Sequence, residues 1–182
     1  MRVRIPTLPR VLLALAVLVC PPQVFAARAP NLALKDLDGS SQKLSALRGH
    51  IVVVNFWATW CGPCQEELPR LAHLAQQYAA QDIRFVAVSV DETKDQLKIR
   101  PDLDRLHVAP TQNFSVWTGA STYALASFGL GGVVPGTVIL DRDGNIITRI
   151  QGEARDADLH TTVDWLLSNR SGPPPPATIK RY

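Results

Sequence analysis

The sequence predicts an α/β protein built around a βαβ unit, and three observations carry that reading. IVVVNFW (Ile51 to Trp57) and IRFVAVSV (Ile83 to Val90) are near-continuous β-branched and aromatic runs, as expected of strands buried on both faces. Between them Leu68, Leu71, Leu74, Ala75 and Tyr78 recur at helical spacing. A strand, a helix and a strand in so short a span imply parallel strands joined by a right-handed crossover.

The other elements follow in chain order. Residues 32 to 44 alternate around Asp38-Gly39, a hairpin-turn signal. Ser45 is placed to cap a single turn that ends at Gly49. Pro69 falls inside the long helix and is expected to kink it. From Asp91 to Gly119 polar residues dominate, with Pro101 and Pro110 interrupting, and the segment reads as one or two helices. Ser121 to Phe128 reads as a short helix. Thr137 to Asp141 and Asn145 to Gln151, joined at Asp143-Gly144, read as an antiparallel hairpin. Asp156 is the expected cap of a last helix through Leu167, with Leu159, Val163, Leu166 and Leu167 inward. The end, SGPPPPATIKRY, is proline-rich and reads as an extended, mobile tail without a core of its own.

The amino end is an address. Arg2, Arg4 and Arg10 precede an apolar run of about ten residues from Val11 to Cys20, about half of what spans a bilayer. Pro21 and Pro22 follow, and Val24 and Ala26 fit a cleavage site after Ala26. This is the layout of a secretory signal peptide, with an uncleaved anchor or a lipid on Cys20 as the alternatives. Three segments result: a signal at 1–26, one domain at 27–170 and the tail at 171–182. Export implies an oxidising, extracytoplasmic compartment such as the periplasm.

Composition narrows the function. The 182 residues are 46% hydrophobic and 19% charged, enough to pack a core. Taking the three leader arginines from the 19 basic residues leaves 16, against 16 acidic. A neutral body argues against nucleic-acid binding, which needs a basic face. A monomer is expected. If Cys20 leaves with the signal, only Cys61 and Cys64 remain.

Those two sit in Trp60-Cys61-Gly62-Pro63-Cys64, directly after a buried strand and at the opening of a helix. At a helix N-terminus unpaired N–H groups favour negative charge, so the Cys61 thiolate forms near neutral pH and is nucleophilic. Pro63 suits a first turn because its missing N–H would have had no partner. Cys64, one turn inward, is placed to attack a mixed disulfide on Cys61 and release the reduced partner. Against this stand a structural disulfide and a zinc site. Zinc would need two further ligands, and His50, His73, His107 and His160 form no paired motif. No metal or other cofactor is expected.

The stretch VVVNFWATWCGPC, with Glu67-Leu68-Pro69 after it and the hairpin before it, resembles the thioredoxin superfamily, and within it the TlpA/ResA type of exported thiol–disulfide oxidoreductase. The resemblance covers roughly residues 31 to 168. It implies a thioredoxin-like fold: a central mixed sheet flanked by helices, with an N-terminal β-hairpin and a central insertion. It also implies a protein-disulfide reductase acting on exported proteins, apocytochromes c among them, with electrons from a membrane thiol reductase. By the same resemblance Val134-Pro135 matches a cis-proline loop that pairs with substrate backbone beside the cysteines, where Gly136 replaces the usual Thr. Trp60 would shield the disulfide rim, and Trp57 would lie in the core. Asn55 stands where cytosolic thioredoxins carry a buried acid. An amide is no base, so Glu67, three residues beyond Cys64 on the same helix face, is the candidate proton carrier for Cys64. The opposing reading is a solvated first-turn acid, which is also what Glu66 is expected to be.

Two other functions compete. A disulfide oxidase or isomerase would share the motif and differ in potential. A copper-binding or delivery module would use two soft thiolates, but Met1 is the only methionine and no histidine neighbours the cysteines. A peroxidase would carry Thr three residues before Cys61, where Ala58 stands.

Overall fold

A computed structural model describes residues 27–181. The segment expected to be a signal, 1–26 with Cys20, lies outside the described residues. The chain opens with a hairpin, β1 (Ala33–Asp36) and β2 (Ser41–Lys43), whose turn is held by Asp36 accepting the amides of Asp38 and Ser40 at 3.0 and 2.9 Å. A 3-10 turn at Leu44–Leu47 follows. Ser45 does not cap it: its amide donates to Asn31 Oδ1 at 3.2 Å.

Then come β3 (Ile51–Trp57), α1 (Gly62–Gln77) and β4 (Ile83–Ser89). β3 and β4 pair in parallel from Ile51–Ile83 to Trp57–Ser89, as the βαβ reading requires. Every residue of β3 is buried, which is why its run carries no polar alternation. α1 continues past Pro69 to Gln77 as one helix.

The weakly patterned stretch contains a 3-10 turn at Gln96–Lys98, one α-helix, α2 (Ile99–Arg105), and one strand, β5 (Phe114–Thr118). The strand corrects the all-helical expectation. FSVWT is too short to show a period, and it is a strand because it pairs in parallel with β4 and antiparallel with β1. After α3 (Thr122–Ser127) come β6 (Gly136–Leu140) and β7 (Ile146–Gln151), the expected hairpin, and then α4 (Asp156–Leu167). Asp156 is not the cap of α4. Arg155 holds that position, and Asp158 accepts its backbone amide at 3.2 Å. Leu159, Val163 and Leu166 are buried, while Leu167 is only partly so.

The tail differs most from expectation. Thr178–Lys180 forms β8, parallel to β7, with Arg181 N donating to Gln151 O at 2.7 Å. Asp158 holds the Arg181 guanidinium at 2.6 and 2.9 Å. Gly152 makes this docking possible. It sits at φ +90°, and a Cβ there would lie 1.8 Å from the Arg181 carbonyl oxygen. The tail is extended, but its end is part of the sheet.

Among the described residues the sheet has eight strands in the order β2-β1-β5-β4-β3-β6-β7-β8. β3, β4 and β5 are parallel and β6 runs against β3, so the sheet is mixed. α1 and α4 lie side by side, tied by Tyr78 donating to Asp164 at 2.7 Å and Arg70 to Asp156 at 3.0 Å. Phe56 packs edge-on to Phe128, just beyond α3, at 5.3 Å between ring centres. Asn55, next along the strand, faces the other way, toward α1.

Candidate active site

The site forms where β3 gives way to α1. Trp57 ends the strand, Ala58 to Trp60 turn, and Cys61 is the N-cap of α1 in an extended conformation. Its Sγ accepts the Cys64 backbone amide at 3.3 Å, taking up one of the amides that the first turn leaves unpaired. Pro63 stands in that turn, where no donor is required. Cys61 and Cys64 are joined as a disulfide. Residue exposure is 6% for Cys61 and 1% for Cys64, while Trp60 beside them is 63% exposed. Trp57 is wholly buried, as expected of a core residue.

A buried carboxylate holds this loop, and the sequence reading missed it. Asp91, just past β4, accepts the Thr59 amide at 3.2 and 3.1 Å and the Thr59 hydroxyl at 2.7 Å. Ser89 Oγ donates to the same carboxylate at 2.7 Å, and the Asp91 amide returns a bond to Ser89 Oγ at 3.0 Å. Gln65 Nε2 reaches back from α1 to the Thr59 carbonyl. The turn before Cys61 is therefore fixed from β4 and from the helix it introduces. The available signal was an acid at the end of an apolar strand.

Opposite lies the loop before β6. The Val134–Pro135 bond is cis, and both residues are buried. Gly136 pairs with Phe56, so Pro135 stands at the end of β3 from which the cysteine turn leaves. Gly136 is tightly enclosed: a Cβ there would lie 3.1 Å from Leu130 Cδ1. Pro63 and Val134-Pro135 share the wall of a groove of about 490 Å³ with Gly152, Glu153, Arg155 and Arg181.

Glu67 is buried, so the solvated reading fails, whereas Glu66 is exposed. Its Oε1 accepts the Ala154 amide at 3.0 Å, and its Oε2 has no hydrogen-bond partner. Burial pushes the carboxyl up to about 7, against the lowering pull of the Ala154 amide and the Arg70 guanidinium. Asn55 is buried too and donates to Thr137 Oγ1 at 3.0 Å. Among the described residues no group of three or more His, Cys, Asp or Glu is arranged to hold a metal ion.

Comparison with known proteins agrees with this geometry. The family model for the AhpC/TSA family matches residues 25–149. A thiol-disulfide oxidoreductase ResA of Bacillus cereus is 30% identical over 125 residues, covering 69% of this chain and 68% of the relative. ResA of Geobacillus thermodenitrificans is 31% identical over 131 residues, covering 72% and 71%. A Chlorobium tepidum crystal structure described as a thiol:disulfide interchange protein DsbE is 28% identical, with TM-score 0.63, over 81% of this chain and 97% of that one. A Neisseria meningitidis solution structure described as a thioredoxin, 24% identical with TM-score 0.64 over 80% and 93%, shares the fold. A cysteine pair at a helix start, a cis-proline loop beside it and these relatives converge: the chain belongs to the AhpC/TSA family, as a thioredoxin-fold thiol–disulfide oxidoreductase.

Proposed function

We propose that the protein reduces disulfides in exported proteins, apocytochromes c among them, outside the cytoplasm and behind a signal at residues 1–26. The observation that supports this most is the position of Cys61, whose sulfur caps α1 where developing negative charge is favoured. The Cys61 thiolate attacks a substrate disulfide, forming a Cys61–substrate bond, and the other substrate sulfur leaves as thiolate and takes a proton. Cys64 then loses its proton to Glu67 and attacks the Cys61 sulfur. The Cys61–Cys64 disulfide forms, and the second substrate sulfur leaves. Two electrons pass from the dithiol to the substrate, and a membrane thiol reductase restores them. Trp60 shields the rim, and the backbone at Val134-Pro135 receives the substrate strand.

Trapping tests the reading. Cys64→Ala in the exported protein should hold substrates on Cys61 as mixed disulfides that reductant releases. Alkylation of the reduced protein should reach Cys61 first; faster labelling of Cys64 would reverse the two roles. The direction of electron flow is read from the potential. A value near that of thioredoxin, about −270 mV, supports a reductase, and one near about −120 mV would make the protein an oxidant.

A further inference from the structure

The groove beside the cysteines has a charged wall, and its charges are unequally satisfied. Glu153 is bound to the Arg70 guanidinium. Arg181, brought to the groove by the docked tail, is held by Asp158 at 2.6 Å. Arg155 lines the same groove, is exposed, and has no ion pair among the described residues. Its backbone amide is fixed by Asp158, which anchors the residue at the start of α4. In addition, the Arg181 Nε is buried without a hydrogen-bond partner. Arg70 also serves Asp156, so the wall as a whole is not cationic. Arg155 is nevertheless the one charged lining residue of this groove without an ion pair among the described residues, and it shares the wall with Pro63 and Pro135.

Resting on the reductase reading, we infer that Arg155 is a specificity-determining residue, selecting disulfide-bearing segments that carry a carboxylate side chain beside the reacting cysteine. A guanidinium recognises a carboxylate by two parallel N–H···O bonds, which a lysine or glutamine on the substrate cannot accept. Arg155 is exposed to solvent, so the discrimination is moderate. Arg155 acts on association with substrate and not on the exchange steps at sulfur.

The experiment uses the reduced protein and three disulfide-linked peptides, identical except for Glu, Gln or Lys next to the cysteine. At low ionic strength kcat/KM should favour Glu over Gln about threefold, the range of an exposed ion pair, and Lys should be worst. Added salt should compress the ratio. In Arg155→Gln the Glu-to-Lys ratio should fall to about one, and in Arg155→Glu it should invert. Equal rates for the three peptides with the unaltered protein, or a preference that survives Arg155→Gln, would overturn the assignment and leave the reductase reading standing. Failure to reduce any of the peptides would remove both.

Discussion

Two buried carboxylates flank the cysteine motif, and they are treated in opposite ways. Glu67 and Asp91 are each 1% exposed. Asp91 accepts from the amide and hydroxyl of Thr59 and from the hydroxyl of Ser89. Glu67 accepts one amide, and its second oxygen has no partner. The first arrangement commits the carboxylate to fixing a loop. The second leaves a carboxyl whose proton is held near neutrality by burial, with an oxygen free to give or take it. Burial alone does not make an acid functional; what differs is how many donors the fold supplies.

Removing the better-paired acid should cost most. Asp91→Ala strips partners from Thr59 and Ser89 and should destabilise the protein on the order of 4 kcal/mol, since a hydrogen bond to a charged group contributes roughly 1.5–3 kcal/mol. Denaturant titration measures it. A loss under about 1 kcal/mol would mean that water replaces the carboxylate. Because Thr59 sets the turn into Cys61, alkylation of Cys61 should also slow in this variant.

Glu67→Gln should do the reverse in alkaline solution. Folding raises this carboxyl from 4.5 to about 7, so the fold favours the neutral form. That contribution is complete below the unfolded value, about 4.5, and is lost as pH rises through about 7. The gap corresponds to at most ~3 kcal/mol above that window. Glutamine, neutral throughout, should therefore stabilise the protein at pH about 8 and do little at pH about 4. Denaturation midpoints across that range check it, and a constant difference between variants would show that the carboxyl does not titrate in the window. Kinetically, resolution of the mixed disulfide should slow about tenfold, less than the usual contribution of a general base because water also takes the proton. Stopped-flow reduction of a model disulfide from about pH 6 to 8 reads this directly; equal rates would leave Glu67 without a part in the chemistry.

Ser89→Ala is the smallest change. It removes one donor from the Asp91 carboxylate and the acceptor of the Asp91 amide while leaving Thr59 in place, so about 2 kcal/mol should be lost, with Cys61 reactivity unaltered. A loss as large as that of Asp91→Ala would show that Ser89, not Thr59, carries the anchor.

Much of this was legible in the chain. Ile51 to Trp57 and Ile83 to Val90 announce buried strands because parallel strands need no polar face, and Trp60 to Cys64 announces the chemistry because its context is local. Glu67 was legible as a candidate by spacing alone. Its burial was not, because the Ala154 amide that meets it belongs to a loop 87 residues away. Asp91 escaped for the same reason, its partner Thr59 being 32 residues distant. β5 and β8 escaped because each is a strand only by virtue of its neighbours: FSVWT lies between β4 and β1, and TIK lies against β7. A proline-rich composition says that a segment has no core of its own; it does not say that the segment has nothing to dock on.

The docked tail has a consequence for the behaviour of the protein in crowded solution. A strand at the margin of a sheet offers unpaired amides and carbonyls to any other extended chain. Here the two margins are β2 and β8, each of three residues. β8 covers the second half of the outer edge of the six-residue β7, from Arg149 to Gln151, with Arg149 N bonded to the Ala177 carbonyl and Arg181 N to that of Gln151. Short margins are poor templates for cross-molecular pairing, whereas a bare β7, with Ile146, Thr148 and Ile150 on its buried face, would be a good one. Removing residues 178–181 should therefore replace a three-residue margin by the longer edge of β7 and raise the tendency to self-associate.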